Sequence, residues 1–164
     1  MVSNTLLADA FGRIQEVIHQ VVPGLSREDL AFRPNESANS IGWLVWHLTR
    51  VQDDHIAGVA QTKQVWHTGW SKQFALPLED DDTGYGHSSK DVASVQVSAE
   101  LLLGYYDAVH TATINYLQSL KDEDYDKVID TRWNPPVTLA VRLISIITDD
   151  LQHAGQAAYV RGLL

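Results

Sequence analysis

Asp149, His153 and His47 are the side chains whose types and spacing point to chemistry in this chain. In Thr148-Asp149-Asp150-Leu151-Gln152-His153-Ala154-Gly155-Gln156, Asp149 and His153 stand at i and i+4. On a helix those positions share a face, with Cβ atoms about 5–6 Å apart, the reach at which two side chains can hold one metal ion. His47, in Trp46-His47-Leu48 within a strongly apolar stretch, is a natural third donor. Two imidazoles and one carboxylate on two packed helices would leave positions open to water or substrate. Such a set also suits non-haem Fe(II). Two plainer readings compete. Asp149 and His153 can hydrogen-bond each other at this spacing, and a lone histidine in an apolar helix is commonly a core residue bonded to a carbonyl.

Other residues could assist such a site. Asp54 follows His47 by seven and returns to nearly the same face two turns on. It is the nominee for a general base, or else a solvated acid. His55 is rotated about 80° from His47 by the same arithmetic and is not enlisted. Arg142 precedes Asp149 by seven and Gln156 follows His153 by three, so either could orient an anionic ligand. A surface ion pair is the alternative for Arg142. Arg50 or Arg142 could anchor a carboxylate of a thiol or substrate. His67, His87 and His110 have no metal-spaced partners, and His87 is the one whose loop could carry it to the site. His19 suits a helix C-terminus. The carboxylates of Glu79 to Asp82 are contiguous and lack the alternation of a calcium loop.

Composition narrows the possible functions. Lys and Arg number 12 against 21 Asp and Glu, a formal net charge of −9. With no basic stripe to offset it, that balance argues against nucleic-acid binding. Cysteine is absent, so disulfides, thiolate ligands and a cysteine nucleophile are excluded, and any thiol chemistry needs a thiol from outside. The N-terminal residues lack a basic region followed by an apolar run, and no apolar stretch is long enough to span a membrane. A soluble cytoplasmic protein is the default expectation. At 164 residues, the chain is expected to be one domain over 1–164.

The periodicity predicts the elements that must position these side chains. A first helix, capped by Asn4 or Thr5, runs to about Val22 and stops at Pro23-Gly24, with Leu6, Leu7, Ala10, Phe11, Ile14, Val17, Ile18 and Val21 as its buried stripe. Ser26 and Asp29 have capping-box-like spacing around a short helical turn. A second helix, capped by Asn39 or Ser40, runs to about Ala60, its first half apolar on nearly all sides. Residues 62–91 show no period; their aromatics Trp66, Trp70 and Phe74 should pack down, making a long crossover. A third helix starts near Ser88 or Asp91 and covers Glu100 to Leu120. A fourth follows Pro135-Pro136 from Val137 or Thr138 almost to the C-terminus. The expected fold is all-α with no convincing strand.

Trp43-Leu44-Val45-Trp46-His47-Leu48-Thr49-Arg50-Val51-Gln52-Asp53-Asp54-His55, together with Asp149-Asp150-Leu151-Gln152-His153-Ala154-Gly155-Gln156, resembles the DinB-like superfamily. Asp82-Thr83-Gly84-Tyr85-Gly86-His87 and Pro135-Pro136-Val137-Thr138-Leu139 give it the look of a bacterial branch. The resemblance spans essentially the whole chain. It implies a four-helix bundle with up-down-down-up topology and a three-ligand site for zinc or nickel, here His47, Asp149 and His153. Many members carry histidine where this chain has Asp149; a related branch, the mycothiol-dependent maleylpyruvate isomerases, uses glutamate. Members with known activity use a low-molecular-mass thiol such as mycothiol or bacillithiol in transferase or isomerase reactions. The leading expectation is therefore a metal-dependent thiol S-transferase or isomerase acting on a small-molecule substrate. Metal-dependent hydrolysis with Asp54 as base and a non-catalytic ligand-binding or stress-associated module are the alternatives. The resemblance also implies a homodimer, although the residues mark no interface.

Overall fold

Four long amphipathic helices form the core of the computed structural model, which describes residues 2–164. They are α1 (Val2–Val21), α3 (Ile41–Ala60), α6 (Ala99–Ser119) and α7 (Leu139–Arg161). Three short helices, α2 (Arg27–Ala31), α4 (Trp70–Phe74) and α5 (Ser89–Ser94), lie in the connections, with β1 (Val128–Asp130) and β2 (Val137–Thr138) ahead of α7. Helices α1 and α3 each pack against both α6 and α7. Phe11, Ile14, Ile18, Leu44, Leu48, Leu102, Val109, Leu143 and Ile146 meet in the shared core. Among the described residues, no helix is long and apolar enough to cross a membrane.

Local signals set most boundaries. The Ser40 hydroxyl accepts the Trp43 N–H at 3.1 Å and starts α3. Apolar on nearly all sides, α3 is then buried continuously from Ile41 to Asp53. Ser26 and Asp29 form a reciprocal capping box on α2, and Thr138 caps α7 directly after the prolines.

Three expectations are corrected. The first helix begins at Val2, so neither Asn4 nor Thr5 is its cap. The Asn4 carboxamide instead donates to the Leu120 carbonyl at 2.9 Å and accepts from the Tyr125 hydroxyl at 2.5 Å, tying α1 to the end of α6. The third helix is two helices, because Ser88 and Ser98 each cap one and the chain leaves helical conformation from Val95 to Ser98. Val95 and Val97 in that break are buried over Gly42, where a Cβ would lie 3.1 Å from the Leu30 carbonyl oxygen and 3.2 Å from Val97. Finally, β1 and β2 pair antiparallel, with Val128 opposite Thr138 and Asp130 opposite Val137. Strands of three and two residues are too short to leave a period in a sequence.

The crossover from α3 to α6 is pinned to the bundle by buried polar groups. Arg50, with no exposed surface, donates from Nε to the Asp82 carbonyl at 3.0 Å and from Nη1 to Gln64 Oε1 at 2.7 Å and the Tyr105 hydroxyl at 3.3 Å. Its guanidinium also lies 4.8 Å from the Trp66 ring centroid. Asp53 accepts the Val65 and Trp66 N–H groups at 2.8 and 2.7 Å and the Tyr105 hydroxyl at 2.8 Å. The Trp66 indole N–H donates to the Asp80 carbonyl at 2.9 Å. Trp66 and Phe74 are buried and Trp70 packs against the core, as their aromatic character required.

Removing one partner of a buried, hydrogen-bonded charge strands the other, at about 3–5 kcal/mol. Asp53→Ala should therefore lower stability by that order in urea denaturation and loosen residues 61–86 in hydrogen exchange. A second expectation concerns His110 on α6, stacked 6.1 Å from Tyr106, with a buried Nδ1 that has no hydrogen-bond partner among the described residues. Burial holds its pKa below the ordinary histidine value. The unfolded chain thus binds more protons than the folded one below about pH 6.5, and stability falls as pH drops through that range. His110→Leu should flatten this acid-side slope in denaturation curves of metal-free protein.

Candidate metal centre

Packing of α3 against α7 faces His47 toward Asp149 and His153. One donor atom from each lies within 4.8 Å of the other two, and these three are the metal-capable group among the described residues. His153 Nε2 is 3.8 Å from Asp149 Oδ1, and the two imidazole centroids are 4.8 Å apart. Each histidine has its second nitrogen engaged. His47 Nδ1 donates to the Thr83 carbonyl, and His153 Nδ1 donates to Gln156 Oε1 at 2.8 Å. Both Nε2 atoms are thereby left as acceptors turned to the same space, the tautomer a ligating histidine needs. Burial pushes the His47 pKa down, so this imidazole is neutral and ready to ligate at neutral pH. Asp149 Oδ2 is buried and has no hydrogen-bond partner among the described residues. A carboxylate oxygen left in that state is costly unless a cation meets it. Two imidazoles and one carboxylate fit a divalent ion of the zinc type.

The crossover shapes the rest of the site. Trp43 stacks on His47 with centroids 4.6 Å apart and meets His153 edge-on at 6.3 Å. Gly84 has φ +102°, and a Cβ there would lie 2.5 Å from His47 Nδ1 and 3.1 Å from Trp43 Cζ2. Glycine is what lets the loop pass close enough for Thr83 to reach the imidazole. Tyr85 then projects at the rim, its ring edge-on to His47 at 5.1 Å and 61% exposed. Partial burial, then the nearby carboxylates of Asp149 and Asp54, raises its hydroxyl pKa, so it stays a proton donor at neutral pH. His87, expected to visit the site, sits one layer behind it. Its Nδ1 accepts the Trp43 indole N–H at 3.1 Å, and its ring stacks on Trp46 at 5.7 Å.

Of the remaining candidates, Gln156 alone hydrogen-bonds one of the three donors among the described residues. Asp54 accepts from Gln64 Nε2 at 2.8 Å and lies 3.1 Å from His55 Nδ1, whose hydrogen bond holds the carboxyl below its ordinary pKa. Arg142 reaches Asp130 of β1 at 3.4 Å, alongside the two-pronged contact of Arg132 at 3.0 and 2.8 Å. Asp54, His55, Asp130, Arg132 and Arg142 line a polar groove of about 640 Å³. Arg50 is committed to the crossover and presents no surface to a ligand. Gln156 orients His153. Thr83, Gly84, Tyr85 and Trp43 were not nominated from the sequence as site residues. A tyrosine between two glycines in Gly84-Tyr85-Gly86 was the available signal. Asp150 was also passed over. It is fully buried beside Asp149, and both its oxygens lack hydrogen-bond partners among the described residues. Burial, and then Asp149, hold its carboxyl pKa well above the ordinary range.

Loss of an outer partner of a ligating histidine typically costs 10–100-fold in metal affinity. Gly84→Ala, which drives the Thr83 segment off His47, should weaken zinc binding by about that factor in a chelator-competition titration. Its helical circular dichroism should match the parent's.

The site's surroundings can be set beside known proteins. The crystal structure of a conserved protein from Enterococcus faecalis superposes with a TM-score of 0.91 at 33% identity, covering 97% of this chain and 95% of that one. No curated protein matches the chain. The mycothiol-S-transferase family model matches residues 6–164, which narrows the DinB-like resemblance to a single branch. The chain belongs to the mycothiol-S-transferase family.

Proposed function

We propose that this protein is a metal-dependent S-transferase that joins a low-molecular-mass thiol of the mycothiol type to an electrophilic small molecule. The observation that carries the reading is the convergence of His47, Asp149 and His153 with both histidine tautomers already set, in a chain of this family. Zinc is the preferred ion, with nickel or iron as alternatives, and the bundle is read as running up-down-down-up. A divalent ion held there supplies Lewis acidity that lowers the pKa of a thiol. The chain has no cysteine, so the sulfur nucleophile must come from the cosubstrate.

The chain's own residues handle the remainder. Trp43 walls one side of the ligand set and excludes water from it. Tyr85, protonated and at the rim, donates a hydrogen bond to the incoming electrophile or leaving group. Arg142, one-fifth exposed in the polar groove, offers a positive charge to an acidic group of thiol or substrate. Asp54 is held ionised by His55, which weakens it as the general base that hydrolysis would require. A metal with only a structural role normally takes four protein ligands, whereas three converge here among the described residues.

Elemental analysis of untagged protein should find about one metal equivalent, the stoichiometry of a single three-ligand site, and His153→Ala should lose it. Metal-loaded parent should form the mycothiol conjugate of a fluorogenic electrophile, and Tyr85→Phe should slow it by about 10–100-fold, the usual scale of a positioned proton donor. A metal-loaded protein that conjugates neither mycothiol nor bacillithiol to any electrophile would overturn the transferase reading.

A further inference from the structure

His47, Asp149 and His153 meet where α3 packs on α7, and two grooves flank them along that seam. The charged groove with Asp54 and Arg142 lies toward the end of α3 and the start of α7. On the other side is a cavity of about 760 Å³, a size typical of small-molecule sites. There Leu44 precedes His47 by three residues, and Gln156 and Tyr159 follow His153. None of its lining residues is charged, in a chain whose net charge is −9. Asn35, Ser37 and Asn39 of the loop before α3, with Gln152 and Gln156 of α7, supply its polar groups. Gln152 Nε2 donates to the Thr148 carbonyl at 2.9 Å, which leaves its Oε1 to accept. Gln156 Oε1 accepts from His153 Nδ1 at 2.8 Å, which leaves its Nε2 to donate. Tyr159, 70% exposed, adds an aromatic face with a hydroxyl at its edge.

We propose that this cavity binds the uncharged, polyhydroxylated ring portion of the thiol cosubstrate. The assignment rests on the S-transferase reading and locates the part of the thiol that does not react. Carboxamides donate and accept without carrying charge, and so match hydroxyls, which also do both. A carboxylate or ammonium group would lose its water there without meeting an opposite charge. The charged groove suits such a group, and the uncharged cavity suits a polyol. The C–H face of a sugar or cyclitol ring can lie on the Tyr159 ring while its hydroxyls meet the amides. Tyr159 stands six residues beyond His153, a rise of about 9 Å. A ring joined to the thiol through a cysteinyl amide can reach it while the sulfur lies by His153. Gln156 belongs to both places, holding His153 with its oxygen and lining the cavity. Binding energy from the unreactive rings would then orient the reacting end.

Isothermal titration of the metal-loaded full chain with the thiol-free pseudodisaccharide of mycothiol, a glucosamine joined to inositol and N-acetylated, tests the site without catalysis. The parent should bind it. Tyr159→Ala and Asn39→Ala should each bind it about 3–10-fold more weakly, the scale of one neutral contact. Arg132→Ala in the charged groove should bind it as the parent does, and helical circular dichroism checks that each variant folds. In conjugation assays the two cavity variants should raise KM for mycothiol with kcat retained, the mark of binding shared by ground and transition states. KM for N-acetylcysteine, which lacks the rings, should not move. A parent that fails to bind the pseudodisaccharide overturns the assignment, as does a loss in Arg132→Ala equal to that in the cavity variants. Equal KM values for mycothiol and N-acetylcysteine overturn it as well, and in each case active conjugation leaves the transferase reading standing. If no thiol is conjugated, yet the pseudodisaccharide binds and Tyr159→Ala weakens it, the transferase reading falls and the polyol site stands.

Discussion

His47 can serve a metal only if something holds its other nitrogen, and that requirement reaches through much of the chain. The imidazole is buried within α3, whose own carbonyls are occupied by the helix. The acceptor therefore has to come from outside α3, and the crossover brings it in the Thr83 carbonyl. A loop carbonyl is a useful tautomer-setting group only if the loop is fixed. Arg50 and Asp53 fix it, three and six residues along α3 from His47, by binding Asp82, Gln64, Val65 and Trp66. Burying two opposite charges is costly unless their remaining hydrogen-bonding capacity is met. Here crossover backbone, the Gln64 side chain and the Tyr105 hydroxyl meet all of it but Arg50 Nη2. One face of α3 thus carries a ligand and the two residues that anchor the loop behind that ligand.

The other half of the centre depends on α7 having three differently used sides. One edge presents Asp149, His153 and Gln156 to α3. The inner side, with Leu143, Ile146, Ala154 and Ala157, fills the core. Asp150 is the exception on that inner side, a fully buried acid that burial keeps protonated. A second negative charge next to Asp149 would deepen the potential at the site, so keeping Asp150 neutral limits the charge presented to a bound cation. The outer side is neutral throughout, which separates the surface available to other molecules from the surface used for ligation.

Electrostatics also separates the roles of the polar groups near the rim. Tyr85 is partly buried beside Asp149 and Asp54 and keeps its proton. Asp54 is paired with His55 and Gln64, and Arg142 shares Asp130 with Arg132. The groove beside the centre therefore offers both signs of charge at fixed positions. Such a lining suits a polar, hydroxyl-rich or acidic partner better than an apolar one.

Much of the fold was legible in the sequence because its signals are local. Apolar repeats at helical spacing marked the four long helices, Ser26 and Asp29 marked a capping box, and Ser40 was one of two caps expected for the second. The i, i+4 spacing of Asp149 and His153 fixed their shared face before any packing was known. The sequence could not reveal what depends on contacts between distant segments. Asn4 looked like a cap because its carboxamide had no visible partner, yet Leu120 and Tyr125 satisfy it. Arg50 looked available to a ligand because its burial is decided by Tyr105, Gln64 and Asp82, which are remote in the chain. The same is true of Thr83, Gly84 and Tyr85, since loop backbone has no period and its position is set by what it packs on. Residue types and helical spacing determined which side chains could ligate a metal. Only the tertiary structure decided how those ligands are oriented, because a histidine's free nitrogen depends on the partner its other nitrogen finds.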